Sequence, residues 1–247
     1  MKEKIGILVQ ARMGSRRLPG KVLKPVLGKP LLVYLLERLR RVSTSHEIIV
    51  ATTIESADQA IADVCQAFPV SCFRGSQEDV VLRYYDAAVA HKLDVIVRIT
   101  ADGPLIDPEV VEKTLRFYLE HPLSYDYVSN YLERTYPRGM DCEVFPFRVL
   151  KEVHEQSSSF LDREHVSTYI YRNPHRYRLG NVVHKENQSF HRWNVDTQED
   201  YELVQKVIES LYPQNPKFSL EDCLALIKTN PEWSDINRRS RKKVYGV

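Results

Sequence analysis

Short apolar runs alternate with segments of helical period along the first 121 residues, and this alternation restricts the chain to very few architectures. Ile5–Val9 is continuously apolar, the pattern of a strand buried on both faces. Ile48–Ala51 repeats it, and Val70–Phe73 and Val95–Ile99 read as the third and fourth strands. Helices are predicted between them. Pro30 opens a stretch with Leu31, Leu32, Leu35, Leu36, Leu39 and Val42 at helical spacing, and proline suits a first turn. Ala57–Phe68 reads as a second helix, and Gln77–His91 as a third with Val80, Val81, Tyr84, Ala87 and Ala88 on its buried side. Asp107-Pro108-Glu109 supplies an N-cap, a first-turn proline and an early acid for a helix over Val110–His121. Four such units in succession predict an α/β fold. Its sheet is open, mostly parallel and twisted, with helices on both faces and right-handed crossovers. Ligands of such sheets sit beyond the carboxyl ends of the strands, so the loops after strands one and four are the places to look.

From about residue 124 to 193 the alternation breaks down, with Tyr125, Tyr127, Tyr131, Tyr136-Pro137-Arg138 and Phe145-Pro146-Phe147 scattered among charges. This stretch is expected to be an insertion within a single domain spanning 1–247. It would carry substrate contacts, subunit contacts or both, the latter implying a homodimer. Helical spacing returns over Thr197–Leu211 and Leu220–Lys228. The end, Arg238–Lys243, is a basic run that reads as a solvated terminus. Thirty-five basic against 33 acidic residues leave a net charge of +2, which gives no case for a nucleic-acid partner. Cys65, Cys72, Cys142 and Cys223 show no C-x-x-C spacing and read as free thiols of a reducing compartment. No apolar run approaches the length of a membrane span, so the cytoplasm is the expected location and no membrane insertion is foreseen.

The first loop reads Gln10-Ala11-Arg12-Met13-Gly14-Ser15-Arg16-Arg17-Leu18-Pro19-Gly20-Lys21: four cations, two glycines, a serine and no acid. A glycine-containing loop at a strand's carboxyl end can turn backbone N–H groups toward a phosphate, and Arg and Lys add charge-assisted hydrogen bonds. It is not a P-loop, because Gly14 stands six residues before Gly20 rather than five, and Val22 occupies the place of the magnesium-binding Ser or Thr. The fourth loop holds Thr100-Ala101-Asp102-Gly103-Pro104-Leu105-Ile106-Asp107. Asp102, just past a strand end, is placed to hold a hard divalent cation, although Asp-Gly-Pro is also an ordinary turn. Near the other end, Asp196 of Asn194-Val195-Asp196-Thr197-Gln198-Glu199 could N-cap the following helix, with Glu199 completing a capping box.

The twelve-residue string Gln10–Lys21 resembles the signature loop of the acylneuraminate and keto-deoxy-octulosonate cytidylyltransferases, most closely their spore-coat-polysaccharide branch. The resemblance implies that Arg12, Gly14, Ser15, Arg16 and Lys21 wrap the triphosphate of CTP. It also implies that Asp102, Arg12 and Lys21 are catalytic. Asp102 and Asp196 would hold Mg²⁺ (or Mn²⁺), since the family has Asp-x-Pro-Leu-Ile and Val/Ile-Asp-Thr at these two places. Sialic-acid members have a further Asp where this chain has Asn194, which implies one ligand there rather than two. The family sets the nucleotide base against the loop after strand three, implicating Gly75, Ser76 and Arg83. Arg138, Glu143, Arg163, His165 and Arg192 fall in segments that look like the acceptor side, an arrangement suited to a small acidic sugar. The implied reaction transfers CMP from CTP to a sugar or sugar-like acid with release of pyrophosphate, in surface polysaccharide biosynthesis.

Two other readings stay open. A glycosyltransferase of the same fold would use a ready-made nucleotide sugar, but it typically meets the diphosphate with Asp-x-Asp, a tripeptide found nowhere in this chain. An inactive nucleotide-binding module would explain Asn194 and Gly103, but not the retention of Lys21, Asp102 and Asp196. The eight histidines show no zinc spacing, and no Ser/His/Asp or Cys/His set stands out.

Overall fold

Order along the chain is β1 (Ile5–Gln10), the short pair β2 (Pro25–Val26) and β3 (Lys29–Pro30), α1 (Leu31–Leu39), β4 (Glu47–Thr53), α2 (Gln59–Ala67), β5 (Ser71–Gly75), α3 (Val80–Ala90), β6 (Val95–Thr100) and α4 (Pro108–Glu120). There follow β7 (Tyr127–Ser129), β8 (Glu143–Pro146), α5 (Phe147–Gln156), α6 (Phe160–His165), α7 (Thr168–Tyr171), β9 (Leu179–Asn181), α8 (Gln198–Leu211), α9 (Leu220–Thr229) and α10 (Trp233–Ile236). This is a computed structural model in which residues 3–121 and 123–238 are described. Of the basic run at the end, only Arg238 falls among them.

The main sheet has the order β5-β4-β1-β6-β8-β7-β9. Strands β5, β4, β1 and β6 are parallel, β8 runs antiparallel to both β6 and β7, and β9 is parallel to β7. The four strands predicted from apolar runs are all present. The region expected to be irregular adds β7, β8 and β9 to the same sheet, together with α5, α6 and α7. These strands have three or four residues each, too few to register as periodic runs.

Side chains alternate across β1 as its burial on both faces requires. Ile5, Ile7 and Val9 join a core with Leu32, Leu35, Leu36 and Leu39 of α1, Ile61 and Cys65 of α2, and Val111 and Leu115 of α4. Leu8 faces the other way, into a second core with Val80, Val81 and Tyr84 of α3 and Val149, Leu150 and Val153 of α5. A third cluster packs α8 and α9 around Trp193 and Phe218. Each fully buried Leu, Ile or Val contributes about 1.5–3 kcal/mol against exposure, so α1 is held mainly by its leucine stripe. Helix α3 begins at Val80, later than expected, because the Asp79 side chain accepts from Leu82 N at 2.8 Å and caps it there.

The connections after β1 lead outward through β4 to β5, and the chain then crosses to β6 on the opposite side of β1. Strand order therefore reverses between β1 and β6. The loops leaving their carboxyl ends diverge and leave a crevice.

Candidate active site

Gln10 ends β1 and Thr100 ends β6, paired side by side. Beyond them lies a cavity of about 380 Å³. The loop 11–20 forms one wall and the β6 end with Asp102 forms the floor, while Glu164, His165 and Asp196 close the remaining sides.

Internal hydrogen bonds shape the loop. Met13 N donates to Asp58 Oδ1 at 2.7 Å, and Ser15 N and Gly20 N both donate to Met13 O, at 2.8 and 2.9 Å. Gly20 adopts φ 67°, a left-handed turn suited to glycine, and so delivers Lys21 into a short 3-10 turn whose next residue, Val22, is buried in the core. Asp58 is the anchor. Burial alone would raise its carboxyl, but hydrogen bonds from Thr53, Met13 and Thr52 hold it below the ordinary range.

Lys21 then reaches between two carboxylates. Its Nζ lies 2.7 Å from Asp196 Oδ1 and 3.3 Å from Asp102 Oδ2. Thr100 Oγ1 donates to Asp102 Oδ1 at 2.6 Å and fixes that carboxylate's plane. Asp196 Oδ2 accepts from Arg192 and Arg17 at 2.9 Å each and from Asn194 Nδ2 at 2.8 Å. Burial would raise the Asp196 carboxyl, yet Lys21, Arg17 and Arg192 together hold it at about 2. Burial would likewise lower the Lys21 ammonium, and the two aspartates more than reverse this.

Asp102 and Asp196 stand 94 positions apart, and main-chain contact brings them together. Val195 N donates to Asp102 O at 2.7 Å, and Trp193 N donates to Arg138 O at 2.8 Å. Three segments touch here with no room for side chains. A Cβ on Gly103 would stand 2.5 Å from the Gly139 carbonyl oxygen, and one on Gly139 would stand 2.7 Å from Asn194 N. Gly139 also has φ 97°. The Gly103 that looks unusual in sequence is required by this close approach.

Asp196 is not the helix cap its sequence context suggests. Thr197 caps α8, and Asp200 rather than Glu199 closes the capping box. The Asp200 carboxylate also accepts from Asp196 N at 3.1 Å and from Arg192 Nε at 3.0 Å. With the capping done by its neighbours, Asp196 turns its carboxylate to the cavity. Asn194 faces Asp196 with its amide N–H₂, so it acts as a donor that supports the carboxylate.

Of the other residues singled out in sequence, Arg12, Ser15, Arg16 and His165 line the cavity beside Lys21, Asp102 and Asp196. Gly14 is on the same loop, with nothing within 4 Å of where its Cβ would be, but it is not among the lining residues. Gly75 and Ser76 lie apart at the end of β5, where the Gly75 carbonyl accepts from Ile54 N at 3.0 Å and Ser76 Oγ from Asp79 N at 3.1 Å. Arg138 forms a backbone bridge with Arg192 outside the cavity lining.

Four others, Arg83, Glu143, Arg163 and Arg192, have partners within the protein. Arg83 is fully buried beneath Gly75, donates to the Ser76 carbonyl, and has Nε and Nη2 without acceptors. Its role in this arrangement is to carry the loop from below. Glu143 is 2% exposed and pairs with Arg98, its cross-strand neighbour. Arg163 is clamped to Asp79 and to the His154 carbonyl. Arg192 is 3% exposed and divided between Asp196 and Asp200.

The cavity also holds residues that sequence reading passed over: Gln10, Arg17, Arg98 and Glu164. Arg98 donates to Glu143 and, through Nη2, to Gln10 Oε1 at 3.1 Å, and Glu143 accepts from Tyr127 Oη at 2.7 Å. The signal was present, since one arginine in the apolar strand Val95-Ile96-Val97-Arg98-Ile99 demands a buried partner or a function. Arg12 and Glu164 pair loosely across the opening at 3.9 Å. Val166, just beyond, is buried with φ 49°, a strained conformation for a β-branched residue. Strain of this kind persists only where neighbours enforce it, and it often marks functional turns.

Comparison with known proteins agrees with this geometry. The family described as Cytidylyltransferase matches residues 6–228. An uncharacterized protein of Methanocaldococcus jannaschii is 35% identical over 98% of this chain and 97% of its own length. The spore coat polysaccharide biosynthesis protein SpsF of Bacillus subtilis is 31% identical over 91% of this chain and 94% of its own. A solved cytidylyltransferase structure from Leptospira borgpetersenii superposes with a TM-score of 0.90 at 34% identity, covering 94% of this chain and 97% of the other. Among the described residues no helix is long and apolar enough to cross a membrane. With the cationic loop, the paired aspartates and the reversed strand order all in place, the chain belongs to the cytidylyltransferase family and is a nucleotidyltransferase.

Proposed function

We propose that this enzyme transfers the CMP group of CTP to a hydroxyl of a sugar or sugar-like acid, with Mg²⁺ or Mn²⁺, and releases pyrophosphate, as a step in surface polysaccharide biosynthesis. One observation carries the reading. Two carboxylates from distant segments converge on a single cationic atom, Lys21 Nζ, in the lining of a cavity walled by arginines.

Asp102 and Asp196 fit a divalent ion of the kind that nucleotide enzymes use. Mg²⁺ is ordinarily held by one or two carboxylates, with phosphate oxygens and water completing its shell. No group of three or more His, Cys, Asp or Glu side chains suited to a metal occurs among the described residues, so a triphosphate would supply the remaining ligands. When bound, the ion neutralises charge on the α-phosphate and on the departing pyrophosphate. Arg12, Ser15, Arg16 and Arg17 surround the β- and γ-phosphates in this reading, and Lys21 supports the α-phosphate. The base extends toward Gly75 and Ser76, while the acceptor enters past Glu164 and His165. Its hydroxyl oxygen bonds to the α-phosphorus as the bond to the bridging oxygen breaks, and its proton passes to water. Positioning and charge stabilisation account for the catalysis, as in other phosphoryl and nucleotidyl transfers.

A pyrophosphate-release assay with each of the four nucleoside triphosphates and a panel of acidic sugars tests the proposal. Release with CTP that depends on acceptor and stops in chelator is expected. Preference for another nucleotide, or turnover undiminished by chelator, would overturn it.

A further inference from the structure

The protein's own side chains neutralise the two carboxylates. Lys21 bridges them, and Arg17 Nη2 and Arg192 Nη2 each add a contact to Asp196 at 2.9 Å. Arg192 is also shared with Asp200. Three positive charges (Lys21, Arg17, Arg192) face three negative ones (Asp102, Asp196, Asp200), so the cluster sums to zero. Both oxygens of Asp196 are occupied, Oδ1 by Lys21 and Oδ2 by Arg17, Arg192 and Asn194. A divalent cation arriving alone would meet three like charges, with both oxygens of Asp196 already engaged.

We infer that the cation site is gated by the nucleotide. Lys21 and Arg17 serve as tethered counter-ions for Asp196 and Asp102, and only a polyanion can draw them away. This rests on the reading that a nucleoside triphosphate and a divalent cation share the cavity. Arg17 suits the part, being 58% exposed on the loop and held by a single ion pair. Lys21 has its Cα fixed by the Gly20 turn and by buried Val22, so only its side chain needs to swing toward a phosphate. Arg192 stays behind with Asp200, where it is buried. Departure of the two cations frees Asp196 Oδ1 and Asp102 Oδ2 as the phosphates arrive, while Arg192 and Asn194 stay on Asp196 Oδ2. Nucleotide and metal then reinforce one another's binding, and the enhancement must be equal in both directions.

Mn²⁺ titrated into the metal-free full chain, followed by water-proton relaxation enhancement, tests the gate. Wild-type protein is expected to give little enhancement with Mn²⁺ alone and a large one with Mn–CTP. Lys21→Met and Arg17→Ala should each bind Mn²⁺ alone at least about tenfold more tightly than wild type, within the usual range of coupling between sites. Thermal melting checks that each variant is folded, and exposed Arg17 provides a variant of low structural risk. Tight Mn²⁺ binding by nucleotide-free wild type overturns the gate, as does the absence of any gain in the folded variants. Mn–CTP would still bind in either case, so the functional reading would survive. No enhancement with Mn–CTP overturns both.

Discussion

The ammonium of Lys21 contacts the carboxylate of Asp196 at 2.7 Å across 175 residues of chain, and the pair brings opposite ends of the sequence together in the cavity lining. Removing the ammonium should therefore harm catalysis far more than folding. Lys21→Ala is expected to lower kcat/KM by the equivalent of roughly 2–4 kcal/mol, the usual loss for one preorganised donor. Steady-state kinetics with CTP, set beside a urea midpoint, separates the two effects. A large stability loss with turnover retained would reduce Lys21 to a structural ion pair.

Asp196 and Thr197 are neighbours with different tasks, which point substitutions should separate. Thr197→Ala removes the cap of α8 and should cost about 1 kcal/mol of stability while leaving most turnover. Asp196→Asn keeps the shape but loses the charge, and its turnover should fall by roughly a hundredfold or more. Comparable activity in the two variants would deny Asp196 any role in catalysis.

Acid should erase what Asp196 contributes to stability. Its folded-state carboxyl sits at about 2, below the ordinary value of 3.8, so the contribution is full above pH 4 and disappears as pH falls through about 2. The shift corresponds to roughly 2 kcal/mol. Urea unfolding of wild type and Asp196→Asn should show a constant difference between pH 7 and 5 that narrows below pH 4. A gap that widens in acid contradicts the assignment.

Gly103→Ala and Gly139→Ala test the seam that joins the two aspartates. Each would place a methyl group under 3.0 Å from main-chain atoms that cannot rotate away, and Gly139 adds a left-handed backbone. Losses of roughly 1–3 kcal/mol in stability are expected, with activity falling further than the stability loss explains. Unaltered melting and turnover would show that the segments separate freely.

Asp58 offers the complementary case, since it never meets the cavity. Asp58→Asn replaces an acceptor of four donors by a group that must itself donate, and should cost about 1–3 kcal/mol. KM for CTP should rise as the loop loses its anchor at Met13. An unchanged KM would mean that the loop sets its own shape.

How much of this was legible in the sequence depends on the range of the interaction. The strands β1, β4, β5 and β6 follow from apolar runs, and α1 and α4 from spacing and caps, because both signals are local. The cationic loop and the two aspartates were legible from their resemblance to a known family. What escaped reading depends on contacts across the fold. Arg98 finds Glu143 only when β8 pairs antiparallel with β6, and Asp58 finds Met13 only when two loops meet. Arg163, Arg192 and Glu143 look in sequence like charges for a ligand, yet the folded protein supplies their counter-ions. Thr197 displaced Asp196 as cap because Asp200 reaches back to its amide, a choice that Glu199 concealed.

The seam has a bearing on how such enzymes change over evolution. Because the spacing of the two carboxylates is gauged by a main-chain hydrogen bond from Val195 to Asp102, it does not depend on the identity of most surrounding side chains. The excursion between Gly139 and Trp193 leaves and rejoins the fold at that same gauge. A change in its surface loops that leaves Gly139 and Trp193 in place leaves this main-chain spacing intact. The seam at the site is thus kept by main-chain atoms, with Gly103 and Gly139 supplying the room for them.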